Sequence, residues 1–155
     1  MARYAENTKV GSASSRAEIE RTLTRYGATA FGYGWQGNEA TVMFEIANRR
    51  VRFRLAMPER DSREFTHTPG KGLMRSPEAA EAAWEQAGRQ RWRALALVIK
   101  AKLEAVEASI TTIEQEFLAH IVLPSGSTVG EWAAPQLALA YERGQMPAIM
   151  PGGGS

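Results

Sequence analysis

The chain has no cysteine. That excludes disulfides, thiolate metal sites and cysteine nucleophiles together, and it predicts a reducing, cytoplasmic setting. Histidine is nearly absent as well: only His67 and His120 occur, far apart in sequence. Metal centres and acid–base catalysis need clustered ligands, so this scarcity argues against both. Long apolar runs are missing. The longest, Ala94 to Ile99, is far too short to cross a membrane, and Met1 to Ser15 lacks the apolar core of a signal peptide. Strong net charge is missing too. A formal +2 does not by itself imply nucleic acid, so only the placement of charges could do so.

What remains is ordinary globular composition, 44% hydrophobic and 23% charged over 155 residues, which suits one domain. Residues 1–14 read as a flexible arm, 15–150 as a single α+β domain, and 151–155, PGGGS, as linker-like tail. Ser15 and Glu18 have capping-box spacing, and Ile19, Leu23 and Tyr26 follow on one helical face up to Gly27. Phe31, Tyr33 and Trp35 then alternate with Gly32 and Gly34. Val42, Phe44 and Ile46 alternate next, followed by Val51, Phe53, Leu55 and Met57. Gly37-Asn38 and Asn48-Arg49 are the candidate turns of a three-stranded antiparallel meander. Those turns would set Phe44 opposite Phe53, Ile46 opposite Val51 and Glu45 opposite Arg52.

Residues 59–75 read as a mobile basic loop. Ser76-Pro77 is a strong helix start. From Trp92 the apolar positions run through Leu95, Ile99, Leu103, Val106, Ile110, Ile113 and Phe117 as one amphipathic seam. Unbroken to Ala119 this helix would span about 64 Å. It must therefore break, with Gly88 and the stretch Ile110 to Ile113 as weak points, or project and pair with another copy. A homo-oligomer through the long helix is the expectation. Ile121 to Leu123, a Pro124–Ser127 turn and a helix capped by Thr128 complete a strand-turn-helix. Pro135 is expected to interrupt that helix.

No catalytic motif emerges. Gly70-Lys71-Gly72 lacks P-loop spacing, and Glu114 with Glu116 sit in a solvated stretch. No enzyme and no cofactor are expected. The aromatic run on the first strand could stack bases, but its alternation sets Phe31 and Tyr33 on the core face, with Trp35 near the hairpin tip the most exposed. The informative set is basic. Arg49, Arg50, Arg52 and Arg54 line the outer face of the meander, and Arg60, Arg63, Lys71 and Arg75 continue it into the loop. If these guanidinium groups project free into solvent, they form a phosphate-binding face, with single-stranded DNA the expected ligand. The alternative is a protein-binding inhibitor or adaptor acting through an apolar patch around Trp84, Trp92 or Trp132.

The segments SSRAEIERTLTRYGATAFGYGW, RQRWRALALVIKAKLEAVEA and IVLPSGSTVGEW resemble small uncharacterised proteins of tailed phages and prophages. That resemblance implies a bacterial host cytoplasm and a phage accessory role, in DNA metabolism or against a host defence factor. It carries no site residue with it.

Overall fold

The computed structural model describes residues 2–145, with side chains from Ser12 onward. The tail 151–155 lies outside the described residues. The order is helix α1 (Ala2–Arg25), strands β1 (Ala30–Gln36), β2 (Glu39–Ile46) and β3 (Arg49–Ala56), then helices α2 (Arg63–Thr66), α3 (Pro77–Glu107), α4 (Ile113–Glu116) and α5 (Val129–Arg143). A 3-10 turn, Leu118–His120, precedes α5. The three strands form one antiparallel sheet in the order β1-β2-β3, so the fold is α+β, as the alternation predicts.

Strand β2 shows why the sheet has two unlike faces. Ala40, Val42, Phe44 and Ile46 are buried, while Glu39, Thr41, Met43 and Glu45 between them are not. The buried side packs on α1 through Ile19 and Leu23 and on α3 through Trp92, Leu95, Ile99 and Leu103. Phe117 closes the core edge-on against Phe44 and Phe53, with ring centroids 5.6 and 6.2 Å apart. Trp35 is not the exposed ring of the hairpin: it packs against the core, 6.1 Å from the Trp92 ring.

Helix α1 corrects the expected flexible arm. It continues through residues 2–14, Ser12 is buried, and the helix packs against α3. Its end follows the prediction. Gly27 adopts φ +91°, Ala28 N–H reaches the Leu23 carbonyl and Gly27 N–H reaches that of Thr24, which is a Schellman stop.

Helix α3 starts as read, with the Ser76 hydroxyl accepting from Ala79 N–H and Pro77 in the first turn. It breaks at the second weak point. Ser109 takes φ +62°, Ile110 N–H bonds to the Ala105 carbonyl, and Thr112 then caps α4 in a capping box with Gln115. Gly88 stays inside the helix, buried over Met57. The seam residues Trp92, Leu95, Ile99, Leu103 and Phe117 are consumed by the chain's own core, while Ile110, past the end of the helix, is 80% exposed.

Three further expectations change. The β2–β3 turn is Ala47-Asn48, not Asn48-Arg49, with φ +50° and +60°. Phe44 therefore faces Val51, Val42 faces Phe53 and Glu45 faces Arg50. The register moves by two, which preserves the faces. Residues 59–75 are built rather than mobile: Phe65 is buried, His67 bridges Met74, and the Arg75 guanidinium donates to the Glu64 and Phe65 carbonyls. Residues 121–123 make only isolated bridges, Ile121 to Val51 and Val122 to Thr128, in place of a strand.

Ala47 holds a left-handed conformation that favours glycine. Ala47→Gly is expected to stabilise the fold by about 0.5–1 kcal/mol, read as a higher urea midpoint. A lower midpoint would contradict this turn geometry.

Candidate functional site

The outer face of the sheet carries Gly32 and Gly34 from β1, Thr41, Met43 and Glu45 from β2, and Arg50, Arg52 and Arg54 from β3. The arginines project outward as predicted, but they do not project free. Arg50 pairs with Glu45 directly across the strands at 3.1 Å. Arg52 and Arg54 both meet Glu131 of α5, at 3.3 and 3.5 Å, and Arg54 also approaches Glu39 at 3.9 Å. At the turn, Arg49 donates through Nε and Nη2 to one Glu114 oxygen. Arg60 pairs with Glu81 and lies over the Trp84 ring. Arg75 is spent on backbone carbonyls. Arg63 opens α2, and Lys71 lies between Gly70 and Gly72 at the tip of the small hairpin bridged by His67 and Met74, away from the sheet pairs.

Glu131 is the hinge of this arrangement. Its backbone N–H donates to the Thr128 hydroxyl at 3.1 Å, and its carboxylate accepts the Thr128 N–H at 3.2 Å. This is the predicted capping box. The Thr128 N–H, with Arg54 and Arg52, holds the Glu131 carboxyl below its usual pKa despite some desolvation. Gly130 beside it allows α5 to close on the 3-10 turn, since a Cβ there would sit 2.9 Å from the Ala119 carbonyl oxygen. These contacts lay the first turn of α5 over β3, and the Arg52 side chain keeps only 15% exposure.

Beyond that first turn α5 has little cover. It packs chiefly on the 3-10 turn. Pro135 does not interrupt it, because the Glu131 carbonyl it leaves without a helical donor lies on an exposed part of the helix, within reach of water. At 100° per residue, Trp132 and Leu139 fall on one side of the helix and Leu137 and Tyr141 on the other, with Ala133, Gln136, Ala140 and Arg143 on the arc between them and Glu131 and Glu142 opposite that arc. Yet no residue of α5 is buried. Trp132 is 50% exposed, whereas Trp84 and Trp92 are buried.

A shallow depression of about 660 Å³ lies beside this helix root, floored by Gly32 and Gly34 and bounded by Thr41, Met43, Glu45 and Arg50. Neither glycine has a positive φ, and a Cβ on either would meet nothing within 4 Å. The fold therefore does not require them, although glycine weakens a strand interior.

Among the described residues, no group of His, Asp and Glu is arranged to hold a metal ion. His67 lies in the small hairpin with Nδ1 2.8 Å from its neighbour's Oγ1. His120 stacks on Phe53 with ring centroids 4.0 Å apart. Burial, and then the Lys102 ammonium, push the His120 pKa below its ordinary 6.5 against a hydrogen bond to the Arg52 backbone. Glu114 and Glu116 are committed to Arg49 and Lys102. No helix among the described residues is long and apolar enough to cross a membrane.

No family model matches the chain, and neither a curated protein nor a solved structure does.

Two outcomes follow from this geometry. Gly34→Thr is expected to leave stability unchanged or raise it by about 0.5 kcal/mol, and a loss above 1 kcal/mol by urea titration would show the face to be closed. His120 has a lower pKa folded than unfolded, so its contribution is complete above about 6.5 and is lost as pH falls through the folded value. Urea midpoints should therefore drop between pH 7.5 and 5 more in the wild type than in His120→Gln; equal drops would refute the assignment.

Proposed function

We propose that the protein is a non-enzymatic docking protein, an adaptor or inhibitor, that offers α5 to an apolar groove on a partner protein. The observation that carries this reading is an amphipathic 15-residue helix with no buried residue. Large apolar side chains on a helix, such as Trp132 and Leu139, are ordinarily covered. Here the chain supplies a rigid root, built from the capping box, the Arg52 and Arg54 pairs and the Gly130 close approach, and the described residues bury none of the helix. Trp132 with Leu139, an i, i+7 pair on one side of the helix, makes a ridge suited to helix-in-groove recognition. A host factor is the kind of partner that the phage resemblance implies.

The phosphate-binding reading is weaker on the same geometry. Arg49, Arg50, Arg52, Arg54 and Arg60 already face carboxylates, so a phosphate would have to displace Glu114, Glu45, Glu131 or Glu81.

The test is capture from host cytoplasm by the full chain, with and without nuclease, washed at about 0.5 M salt, where exposed charge pairs are screened. A protein should be retained after nuclease and lost with the double variant Trp132→Glu plus Leu139→Glu. Both positions are exposed, so the variant should keep wild-type stability within about 0.5 kcal/mol. Capture that nuclease abolishes, or that ignores the α5 variant, overturns the reading.

A further inference from the structure

Strand β1 is an edge of the sheet, with no strand beyond it among the described residues. Edge strands expose a row of backbone donors and acceptors, and proteins usually blunt them with lysine, proline, bulges or a covering element. Among the described residues none of these devices is present on β1. The seven residues of β1, AFGYGWQ, carry no charge and no proline, and their pairing to β2 is regular from Ala30 to Gln36. Five of the seven positions are exposed. Tyr33 shares the face whose neighbour Val42 is fully buried, yet Tyr33 is itself 48% exposed, because the sheet stops there. Arg16 stacks over its ring at 4.5 Å.

The order of residues says what fits this edge. Around Tyr33 the strand reads nearly the same in both directions: glycine on each side, then Phe31 and Trp35, then Ala30 and Gln36. Laid antiparallel to a copy of itself about Tyr33, every aromatic meets an aromatic and every glycine meets a glycine. Cross-strand aromatic pairs are stabilising, and the strand itself carries no charge to oppose them. A strand of unrelated sequence would gain nothing from this symmetry.

We infer that a second copy of this chain docks on β1, edge to edge, about a two-fold axis through Tyr33. An axis perpendicular to the sheet keeps both helical layers on one side and makes a six-stranded sheet. On the other side the two depressions join into one trough, floored by Gly32 and Gly34 of both copies. This accounts for glycines that the monomer's packing does not require. An interface made mainly of one strand pair is small, so the dimer is expected to exchange with monomer in a concentration-dependent way. The assembly leaves α5 available and does not depend on its use.

The absence of cysteine makes the test direct. In this register the two Tyr33 positions lie opposite each other, within the Cα separation a disulfide spans, while the two Gln36 positions lie about 20 Å apart along the strands. Full-length Tyr33→Cys and Gln36→Cys are oxidised in parallel, and the wild type is followed by sedimentation velocity over about three decades of concentration. The expected results are reversible dimerisation of the wild type and covalent dimer formation at least about tenfold faster for Tyr33→Cys than for Gln36→Cys. A wild type that stays monomeric throughout, or variants that cross-link equally or not at all, overturns the inference.

Discussion

The carboxylate of Glu131 is the constraint on which the outer half of this structure turns. It closes the capping box that starts α5, and it receives Arg52 and Arg54 from β3. A helix start thus becomes a tether between the last helix and the sheet. The same contact decides the electrostatics of the sheet face. Guanidinium groups that leave the strand pointing at solvent end at a carboxylate 79 positions further along the chain. Such pairs add little stability where exposed, but they set the direction in which α5 leaves the body and cancel the local positive field. The geometry that weakens a phosphate-binding face also holds a helix away from the core.

Beneath that face the fold rests on a single apolar layer. Strand alternation delivers Val42, Phe44 and Phe53 to one side, and the seam of α3 delivers Trp92, Ile99 and Leu103 to meet them. These were legible in the sequence because period-two and helical spacing are local signals. The Ser76, Thr128 and Gly27 signals were legible for the same reason, each being a short motif that satisfies orphan backbone groups. The β2–β3 register was not, because the alternation continues on both sides of the turn. Ala47, which carries no turn signature, had to adopt a left-handed conformation. The faces survived this error only because a shift of two keeps parity.

What the sequence hid is long-range. Nothing in local spacing connects Arg52 to Glu131, Arg60 to Glu81 or Arg49 to Glu114. The run of arginines therefore read as a docking surface until its partners were placed. The order of residues 59–75 was hidden similarly: a buried Phe65 and the reach of Arg75 to two carbonyls tie down a segment whose composition resembles a linker. Conversely, the amphipathic seam on α3 suggested a partner and proved to be core. Among the described residues the surfaces left without cover are the Trp132 and Leu139 ridge of α5 and the neutral edge of β1, one a helix rooted by charge and the other a strand left open by sheet order.

The most direct measurement is fluorescence anisotropy of a labelled single-stranded oligonucleotide titrated with the wild type and with Glu131→Ala at physiological salt. Internal neutralisation predicts no saturable binding by the wild type and measurable, salt-sensitive binding once the carboxylate is removed. Tight wild-type binding that weakens steeply with salt would contradict the account, because it would require the sheet arginines to be free.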